Sequence, residues 1–333
     1  SGEVLEIDTE SKTTTTFGSY SGTYYAMRFA SDGFIYCAGD SGEVLEIDDN
    51  DTTTTFGSYS GTYYAMTEFG VDGFIYCAGD SGNILKIDTN TKEVTIIPGR
   101  EGVYRVAIFD HTDNVYFAGE SVDIIKLNIT TGEVEVDVQY KDTYNASSIS
   151  SDGAIYSVGS SGSIMKLEPS TQLISNFGSY SGKYNASYNN EDEILCIGDS
   201  GSILKINIES QSISLFGSYE GEYETMTESN SGLIYCVGST GTILTIDKTS
   251  KMIGSFGQYS GIYYASGLSD GGRVIAVGDS GSFLLLSEPY LVGSRVIKTS
   301  THKVYQCAIQ TREDPETAVN NVPPEWVEVQ STN

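Results

Sequence analysis

The chain has 333 residues, with 45 Asp or Glu against 18 Lys or Arg and a net charge of −27. Such a surface repels nucleic acid and anionic bilayers, so neither is an expected partner. No apolar run approaches the eighteen or so residues of a membrane span, and membrane insertion is not expected.

The first residues read SGEVLEID, and that phrase recurs along the chain. Equivalent segments begin at 1, 41, 81, 121, 161, 200, 240 and 280, so the interval is 40 residues with a single 39. A second phrase keeps the same period. FGSYSGTYYAM stands at 17–27 and again, letter for letter, at 56–66, with weaker copies at 177–187, 216–226 and 256–266. Self-similarity at a fixed period decides the architecture before any single element does.

Each period carries four short segments of alternating or β-branched composition. In the second copy these are EVLEID (43–48), TTTTFG (52–57), TYYAM (62–66) and FIYCAG (74–79). Helical periodicity is absent, and turn residues sit at every joint (DGFIY, AGDSG, SYSG). Four strands per forty residues, repeated seven times, predict an all-β fold, a seven-bladed β-propeller spanning residues 1–288.

The two ends of this region predict the closure. VLEID (4–8) and TTTTF (13–17) read as the third and outermost strands of a blade. YYAS (263–266), RVIAVG (273–278) and SFLLLS (282–287) read as the three strands that precede an outermost one. One blade is therefore expected to be built from both ends. Residues 4–8 and 282–287 compete for its third position.

Cys37, Cys77, Cys196 and Cys236 share one repeat position, where other periods carry Phe117, Ser157 and Ala276. Equivalent points of neighbouring blades lie about 10 Å apart, whereas a disulfide needs Cα atoms within about 7 Å. These four are read as free, buried thiols; the fifth cysteine is Cys307.

DGFIYCAGDSGEVLEID, SGLIYCVGSTGTILTID and GRVIAVGDSGSFLLLS resemble the hairpins of YVTN/BNR-like propeller repeats. The likeness implies the fold and little about activity. It departs from WD40 repeats, since the chain has neither Gly-His nor Trp-Asp.

The tyrosine phrase and the GDSG turn both fall on one rim. Tyr20, Tyr59, Tyr180, Tyr219 and Tyr259 are therefore expected to ring one face, beside Asp40, Asp80, Glu120, Asp199 and Asp279. Two readings stand. In one, Gly and Ser make the turn, Tyr plugs the gap between blades and Asp sits where a turn favours it. In the other, the tyrosines form an aromatic platform for sugar rings, and the carboxylates a ring for a hard cation such as calcium. Residues 97–103, IPGREGV, lack the tyrosine phrase, and Ser160 and Ser239 interrupt the acids, so no seven-fold identical site exists.

Proline changes in density near Pro289, which marks a second region at 289–333. Residues 290–333 resemble a small module of bacteriophage tail and fibre proteins through Tyr290, Gly293, His302, Val304, Tyr305, Pro324, Trp326, Val327 and Asn333. The resemblance implies a small β-rich connector, here shorter than the usual pattern. It also implies a place in the virion among other virion proteins, within a larger oligomeric assembly.

Catalytic signatures are missing. His111 and His302 are the only histidines and fall in different regions, and no phosphate loop or dinucleotide fingerprint is present. No pair stands out among the acids for glycoside cleavage. Asn128, Asn145 and Asn185 begin Asn-x-Ser/Thr sequons, read as chance in a phage-like protein. The sequence thus predicts a non-enzymatic virion protein of the tail, fibre or appendage, acting as spacer or host-surface receptor-binding head for a partner such as a host glycan. The alternative is a secreted or surface carbohydrate-binding or polysaccharide-cleaving propeller. No cofactor is expected, calcium at the rim being the one candidate ion.

Overall fold

The structure, a computed structural model, describes residues 20–279 apart from gaps at 31, 49–51, 68–71, 121–122, 140–142, 161, 191, 257–258 and 269–273. Within that span residues 137–139 and 256 are described as backbone only. So are the strands at 5–8, 13–16, 284–286, 295–298, 303–307 and 326–331.

Six four-stranded antiparallel sheets follow one another along the chain. Blade 1 consists of Tyr24–Phe29, Ile35–Gly39, Val44–Ile47 and Thr53–Phe56. Blades 2 to 6 repeat that order from first strands at Tyr63–Met66, Tyr104–Phe109, Tyr144–Ile149, Tyr184–Asn190 and Tyr223–Glu228. Each first strand packs against the first strands of its neighbours, and the sheets surround a central channel in a β-propeller.

Seven equivalent four-stranded blades are not what forms. Between blade 6 and blade 1 stands a five-stranded closing sheet. Tyr263–Leu268, Val274–Gly278 and Leu284–Leu286 are its first three strands. Leu284–Leu286 takes the third place because it pairs antiparallel with Val274–Gly278, its near neighbour in sequence. The competing segment Leu5–Asp8 joins on the outside, parallel to Leu284–Leu286, and Thr13–Thr16 pairs antiparallel beyond it. Both competitors are kept, at the cost of a mixed sheet. Residues 295–298, 303–307 and 326–331 form a separate three-stranded sheet. Tyr290, Gly293, His302, Pro324 and Asn333 lie outside the described residues.

Burial follows strand position. The second strands are buried at every residue, as in Ile35–Gly39 and Ile155–Gly159, or at all but the first, because a neighbouring sheet covers each face. Their sequences are accordingly near-continuous apolar runs. The outermost strands are largely exposed and alternate weakly, as in Thr53–Phe56. Seven clusters of buried residues fill the seams between adjacent sheets. One of them joins Tyr24, Leu45 and Met27 of blade 1 to Ile275 and Val277 of the closing sheet. Cys37, Cys77, Cys196 and Cys236 are free and fully buried at the expected position, where desolvation pushes each thiol well above its ordinary range.

One irregularity recurs in every blade and in the closing sheet. Where the first strand meets the second, pairing jumps from Tyr24–Gly39 to Ala26–Ala38 and leaves Tyr25 as an extra residue. The same β-bulge occurs in the other five blades and in the closing sheet. It presses the first strand's backbone onto the facing glycine. A Cβ on Gly39 would sit 1.9 Å from the Thr23 carbonyl oxygen, and one on Gly79 would sit 1.8 Å from that of Thr62. Only glycine fits there.

Gly79→Ala is therefore expected to cost about 3 kcal/mol, lowering Tm by about 10 °C. Gly153→Ala, at φ +81° with open space around the added methyl, should cost only the left-handed backbone strain of about 1 kcal/mol. Melting curves of the two variants beside the parent check the ranking.

Candidate functional site

The bulge determines where the next side chain points. An extra residue leaves the ladder, the strand bends, and its side chain is re-aimed. Here the bulged residues are Tyr25, Tyr64, Arg105, Asn145, Asn185, Glu224 and Tyr264, one from each sheet. All seven line one cavity of about 300 Å³ at the mouth of the central channel, together with Glu120, Thr143, Ser160 and Lys183. An adjoining cavity of about 190 Å³ shares six of them and continues past Ser147, Ser187, Thr225 and Ser266. A third cavity, about 530 Å³, lies between blades 3 and 4. Its polar groups satisfy one another: Asp110 accepts from Thr112 and Asn114, and Lys166 pairs with Glu168.

The mouth is chemically two-sided. Tyr264, Tyr25 and Tyr64 come from three consecutive sheets, with ring centroids 4.9 and 5.1 Å apart and planes tilted by 44° and 59°. The Arg105 guanidinium lies 4.8 Å from the centre of the Tyr64 ring and its Nε is 2.6 Å from Glu120. Asn145 and Asn185 follow, Nδ2 of the first donating to Oδ1 of the second at 3.4 Å. Glu224 completes the circuit. Burial pushes its carboxyl above the usual carboxylate range, Glu222 and Asp199 add to this, and Lys183 and Arg105 pull against it. The phenols of Tyr25 and Tyr64 are also raised, by burial first and then by Asp40 and Asp80 respectively.

The tyrosines expected as a platform are elsewhere. Tyr180, Tyr219 and Tyr259 each turn their hydroxyl onto the backbone of a bulge-facing glycine in the preceding blade. Each accepts from its N–H at 2.7–2.9 Å and donates to its carbonyl at 3.0–3.2 Å. Tyr20 does the same to Gly278 of the closing sheet at 3.1 and 3.2 Å. Tyr59 accepts from the Gly39 N–H and donates to the Glu43 carbonyl, both at 3.1 Å. Each ring also meets the buried tyrosine four residues on, edge to face, at 5.0–5.4 Å. A sugar platform needs open ring faces, and these rings are wedged into seams. The repeated phrase is a building part.

The rim acids do not converge either. Asp40, Asp80 and Asp279 each accept the backbone N–H before a buried tyrosine (Thr23, Thr62, Ile262) at 2.9 Å. Glu120 pairs with Arg105, and Asp199 lies 3.7 Å from Lys183. Among the described residues no group of three or more His, Cys, Asp or Glu is placed to hold a metal ion. The expected carboxylate ring for calcium is corrected to a set of turn caps and ion-pair partners. Sequence reasoning passed over the bulged position because it followed the most constant letters. The signal was the letter after the tyrosine in YYAM, YRVA, YNAS, YETM and YYAS, which changes while both neighbours barely do.

In backbone course the chain is similar to WD40 propellers. The WD40 β-propeller domain of Doa1 superposes with a TM-score of 0.69 at 10% identity, covering 80% of this chain and 95% of that one. The WD40 repeats of RRP9 superpose with a TM-score of 0.66 at 12% identity, covering 78% and 89%. At such identities the likeness speaks for the fold alone. No protein-family profile matches the chain, and no characterised protein matches it in sequence.

Tyr219→Phe removes the group that serves both Gly198 backbone atoms and should cost about 2 kcal/mol, seen as a Tm lower by about 5 °C. Glu224→Gln should do the opposite at neutral pH. A carboxyl whose folded pKa is raised weakens the fold above its unfolded pKa, and that cost disappears as pH falls below it. The variant's Tm should exceed the parent's at pH 7, with the gap closing towards pH 4; a constant gap would refute the assignment.

Proposed function

We propose that this protein is a non-enzymatic recognition module of a bacteriophage tail, fibre or related appendage, and that the channel mouth is its binding face. The observation that supports this reading is the contrast between adjacent repeat positions. The buried tyrosine and its facing glycine are the same in all seven sheets. The bulged residue between them varies through Tyr, Arg, Asn and Glu. A scaffold has no need to diversify one channel-facing position while holding its neighbours. A surface that recognises something does, and propeller frames host such sites readily.

The closing sheet is read as the seventh blade of the ring, with YVTN/BNR-like ancestry for the repeats. Residues 290–333 supply the reason for a virion setting, through their likeness to a tail-protein module; three strands there agree with a small β-rich connector. Half-buried tyrosines that share one cavity with Asn145 and Asn185 favour a glycan of the host surface over a protein epitope, since ring faces and neutral amides suit sugars. The strongly negative chain argues against nucleic acid as the partner.

Adsorption of the purified chain to host cells tests the proposal. Tyr25→Ala and Asn185→Ala should each lower adsorption at least tenfold, whereas Leu215→Ser, on an exposed outer strand, should not. Release of reducing ends from host polysaccharide at a catalytic rate would replace the binding role with the cleaving one.

A further inference from the structure

The mouth holds more information about its ligand than a general affinity for sugars. Its apolar side is the Tyr264–Tyr25–Tyr64 arc, in which the Arg105 guanidinium covers Tyr64 and the tilted Tyr25 and Tyr264 rings are left for the C–H side of a sugar ring. Its neutral side is the asparagine pair. Asn145 Nδ2 donates to Asn185 Oδ1 and to the Tyr184 carbonyl. Asn185 Nδ2 is buried and has no hydrogen-bond partner among the described residues. A buried donor left open is costly, and a ligand oxygen would relieve it.

Charge then narrows the class. The bases of the mouth already have partners, Arg105 in Glu120 and the Tyr64 ring and Lys183 in Asp199 at 3.7 Å, and both also act on Glu224. An anionic sugar would have to break one of those pairs within a chain of net charge −27. Asp40 and Asp279 accept the Thr23 and Ile262 N–H at 2.9 Å, two residues before Tyr25 and Tyr264, and Glu224 lines the same cavity as both rings. Two aromatic faces therefore stand in a negative field, the setting that attracts an organic cation. Arg105 on Tyr64 shows that a ring of this arc accepts one.

We infer that the channel mouth binds a saccharide carrying a free amine, with the sugar ring on Tyr25 and Tyr264, the ammonium towards Glu224 and an oxygen at Asn185. This rests on the reading of the mouth as a recognition surface and specifies its ligand. A carboxylate opposite the ammonium supplies the charge complement, and half-burial strengthens the pair relative to bulk water. N-acetylation would remove the charge and leave the ring and hydroxyls unchanged, which makes it the discriminating modification.

Glucosamine oligomers and their N-acetylated counterparts would be titrated calorimetrically into the full chain at matched ionic strength, with oligolysine of equal charge as a control for bulk attraction. The free-amine oligomer should bind at least tenfold more tightly than the acetylated one. Glu224→Gln, a near-isosteric change, should remove most of that preference. Tyr25→Ala should weaken both sugars, with melting curves confirming that each variant folds. Equal affinity for the two oligomers, or oligolysine binding as tightly and with the same Glu224 dependence, overturns the amine assignment. So does failure of every saccharide to bind while host adsorption still depends on Tyr25, an outcome that leaves the recognition reading standing. Adsorption indifferent to Tyr25 and Asn185 removes the recognition reading itself.

Discussion

The fold depends on one crowded contact, the β-bulge at the head of each first strand. The extra residue pushes the first strand's carbonyl so close to the second strand that a Cβ there is forbidden, which accounts for the glycine ending AG, VG or IG in every period. In four sheets that glycine's N–H and carbonyl are both served by one phenol from the following loop. Leaving such groups unpaired at a seam would cost of the order of 1–3 kcal/mol, which accounts for the tyrosine of SYSG. The bulge also turns its own side chain into the channel. Glycine, tyrosine and channel-facing residue are three consequences of the same displaced carbonyl.

The large excess of acid is accommodated locally. Lysines of the third strands lie against nearby acids, as Lys126 does with Glu135 and Lys166 with Glu168. Both acids are more than a third exposed, so such pairs contribute little. Two lysines do more by crossing seams. Lys92 leaves the outer hairpin of blade 2 and reaches Glu46 and the Tyr36 hydroxyl in blade 1, with the Phe34 ring 5.0 Å away. Lys248 leaves that of blade 6 for Tyr188 and Asn190 in blade 5 and Glu228 in its own.

Propeller architecture was legible because forty-residue self-similarity is a property of the whole chain and survives local noise. Buried thiols were legible for the same reason, since a shared repeat position implies a shared environment. That one sheet would be built from both ends was legible as well; its strand order was not, because two segments of equal merit, 4–8 and 282–287, matched one strand position and no local rule says that a fifth strand can be added. The channel mouth was hidden by a different cause. Tyr59 and Asp80 look functional because they recur, yet recurrence here reports what every seam needs: a donor for a backbone carbonyl and a cap for a backbone N–H. Asn145 and Asn185 stood out only as sequons, and Glu224 as one acid among many. Their common feature, one step past a buried tyrosine at a bulge, is a three-dimensional fact that strand patterning does not encode.

Closure also shows how the fold handles chain entropy. Tyr180, Tyr219 and Tyr259 reach glycines 21 residues away, whereas Tyr20 makes the same pair of bonds to Gly278 across 258 residues. Loop-closure cost grows by about 0.6 kcal/mol per doubling of length, so this seam begins roughly 2 kcal/mol behind the others. An identical tyrosine contact cannot offset a larger deficit. The seam carries what the others lack: a parallel strand pair between Leu5–Asp8 and Leu284–Leu286, and a hairpin partner beyond it. The parallel pairing that spoils the symmetry of the ring is thus the element that offsets the longest loop in it. The Tyr264–Tyr25 contact lies across this same seam, so that part of the aromatic arc forms only when the two ends of the propeller have met.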